Sequence, residues 1–114
     1  MKGQLSDKAR LNHILDAILA IEGYTNGISF SEFADSSEKT FATVKQFEIV
    51  GEAANRITDK TRELDPDIKW SRIIGLRNIL VHDYYIVDQS IIWEIIEDDL
   101  LNLKSQIEEL IDRI

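Results

Sequence analysis

Cysteine is absent from the 114 residues, so the chain can form neither disulfides nor a thiolate metal site or nucleophile. This composition fits a reducing compartment, and a cytoplasmic location is expected. No apolar run approaches the roughly 18 residues needed to span a bilayer, and Met1–Arg10 lacks the apolar centre of a signal peptide. Basic residues are also few, since 13 Lys and Arg face 21 Asp and Glu and give a net charge of −8. That charge argues against a general nucleic-acid-binding protein, because such proteins are usually basic.

With one proline and five glycines, the chain contains long stretches without helix breakers. Its length suits one compact domain, residues 1–114. Apolar residues recur at spacings of three and four, which is typical of amphipathic helices, and the only strand-like run, residues 84–87, is interpreted as a connector. We therefore expect an all-α protein, a four-to-five-helix antiparallel bundle. The predicted helices run from Ser6 or Asp7 to about Gly23, from about Asp35 to Asp65, from Trp70 to Asp83, and onward from Asp88.

The second predicted helix has two apolar stripes, which indicates a helix contacted on two sides, either central in the bundle or at an interface. Asp35 and Glu38 resemble a capping box at its start. Small residues near its middle would let another helix approach closely: Gly51, Ala53 and Ala54.

The stretch Arg-Asn-Ile-Leu-Val-His-Asp-Tyr, residues 77–84, places a guanidinium, an imidazole and a phenol in an otherwise apolar run. Polar groups in such surroundings need partners. At 100° per residue, Arg77 and His82 are separated by about 140° around the helix axis. One copy of the helix therefore cannot easily bring both onto one phosphate, whereas two copies related by a two-fold axis could. This geometry predicts a composite site at a homodimer interface, with Ile74 and Val81 as its apolar contact.

The remaining faces of this helix have different predicted roles. Gly75, near the His82 edge, would allow close approach of a second copy. Tyr84 lies along the same edge as Arg77. One sector is expected to face the core: Ile73, Leu76, Ile79 and Leu80.

The residue types suggest a metal-free phosphoryl chemistry. RNA carries its own nucleophile, the 2′-hydroxyl. A histidine that takes and gives a proton, with an arginine that stabilises the phosphorane charge, is a sufficient minimal set for transesterification. His82 lies in the last helical turn, where the helix dipole favours the imidazolium form.

The pattern Arg-x-x-x-x-His-x-Tyr resembles the signature of the HEPN domain superfamily, and its context is similar to the HepT-like toxins of prokaryotic toxin–antitoxin pairs. The central motif, residues 74–84, is accompanied in order by three further segments. These are Gln-Phe-Glu-Ile-Val-Gly-Glu-Ala-Ala at residues 46–54, Asp-Pro-Asp-Ile-Lys-Trp at residues 65–70, and Trp93 followed by residues 98–101.

The resemblance implies a homodimeric HEPN-fold ribonuclease that uses no metal or other cofactor. Arg77 and His82 would be catalytic, and Asn78 would assist. The antitoxin would be an MntA-like minimal nucleotidyltransferase, which would transfer AMP from ATP to Tyr84. An anionic adduct there could occupy the phosphate site and pair with Arg77.

Other interpretations remain open. Arg77 could be a structural ion-pair residue bound to Asp83 or a neighbour, and Asn78 could simply hydrogen-bond His82 or cap the interface. Glu52 could orient Arg77 or His82. The whole domain could instead be a non-catalytic, substrate-presenting partner of a nucleotidyltransferase, which would suit its acidic charge, or a purely structural dimerising bundle.

Overall fold

The computed structural model describes residues 6–83 and 87–114. In these two ranges every regular element is an α-helix, which confirms the predicted all-α class. The helices are α1 (Asp7–Thr25), α2 (Phe30–Asp35), α3 (Ser37–Asn55), α4 (Asp59–Arg62), α5 (Trp70–Asp83), α6 (Gln89–Asp98) and α7 (Leu100–Arg113).

Helix α1 begins as predicted, with Ser6 as the N-cap residue. The Ser6 hydroxyl accepts a hydrogen bond from the Ala9 backbone N–H, which satisfies one donor that the first turn leaves open. The apolar positions spaced by three and four are buried and form the core face of the helix: Leu11, Ile14, Ile18 and Ile21. After α1 the chain turns through Gly27, whose φ of 79° is accessible to glycine without strain.

Helix α3 does not begin at the predicted capping box of Asp35 and Glu38. Its N-cap residue is Ser36, whose hydroxyl accepts a hydrogen bond from the Lys39 N–H. A capping box lies at the start of α2 instead, where Ser29 and Glu32 each accept a hydrogen bond from the other's backbone N–H. The sequence pattern does not predict α2, because six residues are too few to show a helical repeat.

The predicted second helix also ends earlier than expected, at Asn55 rather than Asp65. The chain then forms the short helix α4, whose first turn is bound by a carboxylate from α1. Asp7 accepts hydrogen bonds from the N–H and hydroxyl of Thr58 and from the hydroxyl of Thr61. Partial burial raises the pKa of Asp7, but these hydrogen bonds outweigh it and hold that pKa below its ordinary value.

Helix α3 is central, which is one of the two arrangements that its apolar stripes indicate, since it packs against α1 on one side and α5 on the other. Helix α7 closes the core against α1, and α6 packs on α7 and α2. The predicted last helix starts after its N-cap Asp88 but breaks at Asp99 into α6 and α7. Hydrogen bonds from the backbone and side chain of Ser90 keep the pKa of Asp88 below its ordinary value.

The packing leaves α5 attached to the bundle chiefly through α3. Within the described ranges, no helix combines the length and apolar content that crossing a bilayer requires.

Candidate functional site

Helix α5 carries the polar motif, and buried residues fix its two ends. Trp70, its first residue, is buried, and the Arg62 guanidinium lies 5.9 Å from the centre of its ring. The same arginine donates a hydrogen bond of 2.8 Å to the Ala54 carbonyl at the end of α3. Leu80, near the other end of α5, is fully buried. The position of the polar side chains between these anchors is therefore set by the core.

Gly51 fixes where α5 touches α3. A Cβ atom built at Gly51 would lie 2.1 Å from the Arg77 Cβ and 2.7 Å from its Cγ, so the stem of Arg77 occupies the space that any other residue's side chain would fill. The predicted close approach at this glycine is thereby confirmed. The contact places the Cβ and Cγ atoms of Arg77 directly against α3, next to Glu52, the residue that follows Gly51.

That following residue, Glu52, binds Arg77. The Arg77 Nη2 lies 3.0 Å from the Glu52 Oε2, and the Arg77 Nη1 donates a hydrogen bond of 2.9 Å to the Asn78 Oδ1. The ion-pair partner is therefore Glu52 rather than Asp83. The side chain of Arg77 is 29% exposed, so part of the guanidinium is open to solvent while two of its nitrogens are held.

The Glu52 carboxylate has a second partner, Arg56, whose Nε lies 3.0 Å from the Glu52 Oε1. The sequence marks Arg56 only as one of six basic residues between positions 56 and 77, and not as a site residue. An i, i+4 acid–base pair is a common surface feature of helices and carries no functional signal by itself. Only the contact at Gly51 shows that this pair meets the motif arginine.

Asn78 accepts its hydrogen bond from Arg77, and among the described residues it makes none with His82. His82 is exposed in the last turn of α5. In the described ranges it makes no hydrogen bond or ion pair, and none joins it to Arg77. Side chains and backbone of the described residues therefore leave both imidazole nitrogens available to an external group.

The apolar side of α5 is more open than expected. Ile79, predicted to face the core, is 49% exposed, so that prediction is wrong. The physical reason is that neither α6 nor α7 packs closely on α5. Instead, a cavity of about 690 Å³ separates them, lined in part by Leu76, Ile79, Ile91, Ile95 and Leu103. Val81, expected at the dimer contact, is also exposed, and Ile74 is half-buried.

Tyr84 lies outside the described residues. Within the described ranges, no group of three or more His, Asp and Glu side chains is placed to hold a metal ion. A shallow cavity of about 520 Å³ lies where α4 leads into α5, and it is lined by both signs of charge, including Asp59, Glu63, Lys69 and Arg72.

Comparison with known proteins gives a consistent result. A family model described as "Ribonuclease HepT-like" matches residues 14–110. The chain is 34% identical over 101 residues to "Putative RNase MJ1380" of Methanocaldococcus jannaschii, with 89% of this chain and 93% of that protein covered. It is also 34% identical over 105 residues to "Probable ribonuclease HepT" of Thermococcus cleftensis, with 92% and 96% covered. No solved structure gives a significant match.

Proposed function

Because the chain belongs to the HepT-like ribonuclease family, we propose that it is a metal-independent endoribonuclease and the toxin of a prokaryotic toxin–antitoxin pair. The proposal is carried by the contacts and solvent exposure of the two motif side chains, Arg77 and His82. Arg77 is held by Glu52 and Asn78 with part of its guanidinium open, and His82 is exposed without a protein partner in the described ranges.

The chemistry follows from what each group can do. His82 accepts the proton of the RNA 2′-hydroxyl as the hydroxyl oxygen attacks the adjacent phosphorus, and it returns a proton to the departing 5′-oxygen. Arg77 binds the phosphate and stabilises the charge that develops in the transition state. Asn78 assists by fixing the Arg77 Nη1. The products are a 2′,3′-cyclic phosphate and a 5′-hydroxyl.

The proposed site is composite. Arg77 and His82 project from different sides of α5, and no hydrogen bond joins them in the described ranges. A homodimer with two-fold symmetry would pair Arg77 of one protomer with His82 of its partner and form two equivalent sites. The exposed Val81 and the half-buried Ile74, which lie between Arg77 and His82 around the helix, provide apolar surface for that contact.

The test compares wild-type protein, made without any antitoxin, with His82→Ala on a defined RNA in the presence of EDTA. The matched control is His13→Ala, which removes the chain's other histidine, an exposed residue of α1. Wild type and His13→Ala should cleave and leave cyclic-phosphate ends, and His82→Ala should lose about 100-fold or more in rate. Cleavage that appears only with a divalent metal would overturn the mechanism.

The antitoxin would act at Tyr84. In the proposed reaction the phenol oxygen attacks the α-phosphorus of ATP, bonds to it, and pyrophosphate leaves. Co-expression with an MntA-like nucleotidyltransferase from the same organism should add the mass of AMP to the wild type and to Tyr85→Phe, but not to Tyr84→Phe. An adduct that survives in Tyr84→Phe would contradict this assignment.

The net charge of −8 favours a second candidate, a non-catalytic partner that presents Tyr84 to the nucleotidyltransferase. This candidate predicts modification of Tyr84 together with unchanged cell toxicity in His82→Ala. Absence of RNA cleavage by both wild type and His82→Ala would favour it over the ribonuclease.

A further inference from the structure

One carboxylate lies between two arginines at the contact of α3 and α5. The Glu52 Oε1 is 3.0 Å from the Arg56 Nε, and the Glu52 Oε2 is 3.0 Å from the Arg77 Nη2. Each carboxylate oxygen therefore holds a different guanidinium. The two cations lie side by side and retain a local charge of about +1 after pairing, in a protein whose total charge is −8.

The backbone makes this arrangement specific. Gly51 places Arg77 on α3, Glu52 is the next residue, and Arg56 follows one turn later at the end of the same helix. Arg77 comes from another helix, so the cluster joins two elements rather than one helix face. An exposed i, i+4 pair alone would have little consequence, but this pair shares its carboxylate with the arginine of the proposed site.

The terminal nitrogens of Arg56 point to a second use of this side chain. Glu52 engages only its Nε, and in the described ranges its two terminal nitrogens have no protein partner. Its side chain is 57% exposed. A guanidinium with both terminal nitrogens open matches the geometry of phosphate oxygens.

We propose that Arg56 is a second phosphate-binding residue of the RNA site, and that Glu52 is the positioning residue that holds Arg56 and Arg77 side by side. The inference rests on the proposed ribonuclease function. Arg77 binds the phosphate that is cleaved, and Arg56 binds a neighbouring phosphate of the same strand. In this way the acidic protein binds RNA, a polyanion, through one small cationic site formed by Arg56 and Arg77.

The first test measures the binding of a short single-stranded RNA in a His82→Ala background, which leaves the RNA uncut. Arg56→Gln should weaken binding about tenfold, the loss expected for one charge-assisted contact. It should also reduce the slope of log Kd against log salt by about 0.7, the value for one phosphate on a single strand. Lys45→Gln is the control, because it makes the same charge change on α3 about 16 Å along the axis.

The second test concerns Glu52. Glu52→Gln removes a negative charge near the RNA but releases the two guanidiniums, so kcat should fall about tenfold while KM does not rise. In an Arg77→Ala background the same substitution should lower kcat no further. Glu48→Gln, one turn away on α3, is the control. A faster Glu52→Gln enzyme, or an equal loss of kcat in the Arg77→Ala background, would overturn the positioning role.

The outcomes separate the two proposals. If wild type cleaves RNA but Arg56→Gln matches Lys45→Gln in affinity and salt slope, the second phosphate contact is refuted and the ribonuclease stands. If wild type binds RNA through Arg56 yet never cleaves it, the ribonuclease is refuted and the phosphate contact stands.

Discussion

At the residue scale, two glycines inside long helices have opposite surroundings. A Cβ at Gly51 would meet the Arg77 Cβ at 2.1 Å, whereas a Cβ at Gly23 would meet nothing within 4 Å. The Arg77 Cβ is fixed to the α5 backbone and cannot swing away. Gly51 is therefore required for the approach of α5 to α3, and Gly23 is not required for any contact.

We expect Gly51→Ala to lower the free energy of unfolding by about 1–3 kcal/mol, because the overlap forces α3 and α5 apart. Alanine's better helix propensity offsets only about 1 kcal/mol. Gly23→Ala should raise the free energy of unfolding by up to about 1 kcal/mol, because alanine has the higher helix propensity and meets no neighbour there. Urea denaturation of the two variants measures both changes. A Gly51→Ala protein as stable as Gly23→Ala would contradict the contact.

At the element scale, Asp7 joins the start of α1 to the first turn of α4. Its carboxylate accepts hydrogen bonds from Thr58 and Thr61, and these lower its pKa despite partial burial. A carboxyl whose pKa is lower in the folded state stabilises the fold above the unfolded pKa. That contribution is lost as pH falls through the folded pKa.

Asp7→Ala should therefore lower the free energy of unfolding by about 1 kcal/mol at neutral pH, which is the usual effect of losing a helix cap. The difference in free energy of unfolding between the variant and wild type should be constant above pH 3.8, the ordinary pKa of an Asp carboxyl. It should become smaller as the pH falls below that value. Thermal or urea unfolding across pH 2–7 checks the sign. Asp16→Ala, an exposed position of α1, should change stability by less than about 0.5 kcal/mol. A difference that grows in acid would contradict the assignment.

The same scale shows which parts of the fold the sequence can predict. Helices α1 and α5 follow from their apolar spacing, and the start of α1 follows from its N-cap Ser6, because these signals act within a few residues. Helices α2 and α4 are too short to show a repeat, and the break at Asp99 has no glycine or proline to mark it. The position of Ile79 depends on how closely α6 and α7 approach α5, which no local pattern encodes.

The candidate site, like the fold, can be predicted from the sequence only in part. The spacing of Arg77, Asn78 and His82 is visible in the sequence, and so is the small residue Gly51. From the sequence, Glu52 could orient either Arg77 or His82. Because the link joins two helices, Arg77 is identified as the partner only once Gly51 is placed against α5. Arg56 enters the site through Glu52 alone, and its pattern in the sequence is that of an ordinary surface pair.

At the scale of the whole molecule, the expected dimer requires α5 to meet its own copy. Gly75 lies in α5, and a Cβ there would meet nothing within 4 Å in one protomer. Gly75→Ala should therefore stabilise the isolated protomer by up to about 1 kcal/mol, as Gly23→Ala does. If α5 packs on a second α5 near Gly75, the same methyl group should weaken dimerisation about tenfold or more.

Sedimentation equilibrium of wild type, Gly75→Ala and Gly23→Ala measures that difference in dimer affinity. Gly23→Ala, on α1, should dimerise as wild type does. An unchanged dimer affinity in Gly75→Ala would place the interface elsewhere on the bundle.

The proposed composite site leads to a quantitative expectation for mixed dimers. Homodimers of Arg77→Ala and of His82→Ala each lack a complete site. When the two variants are mixed and exchange subunits, about half of the dimers contain one of each. In such a dimer, one site has neither substitution and the other has both. Since one of its two sites is intact, the mixture should recover about a quarter of wild-type activity.

If each site instead forms within one protomer, no dimer in the mixture should be active, because every chain lacks one of the two residues. No recovery after confirmed subunit exchange would therefore refute the composite arrangement, provided that wild-type mixtures stay fully active. Recovery would assign Arg77 and His82 to opposite protomers. It would also explain why α5 leaves Val81 exposed, since a surface that completes the site in a partner must remain open in the single chain.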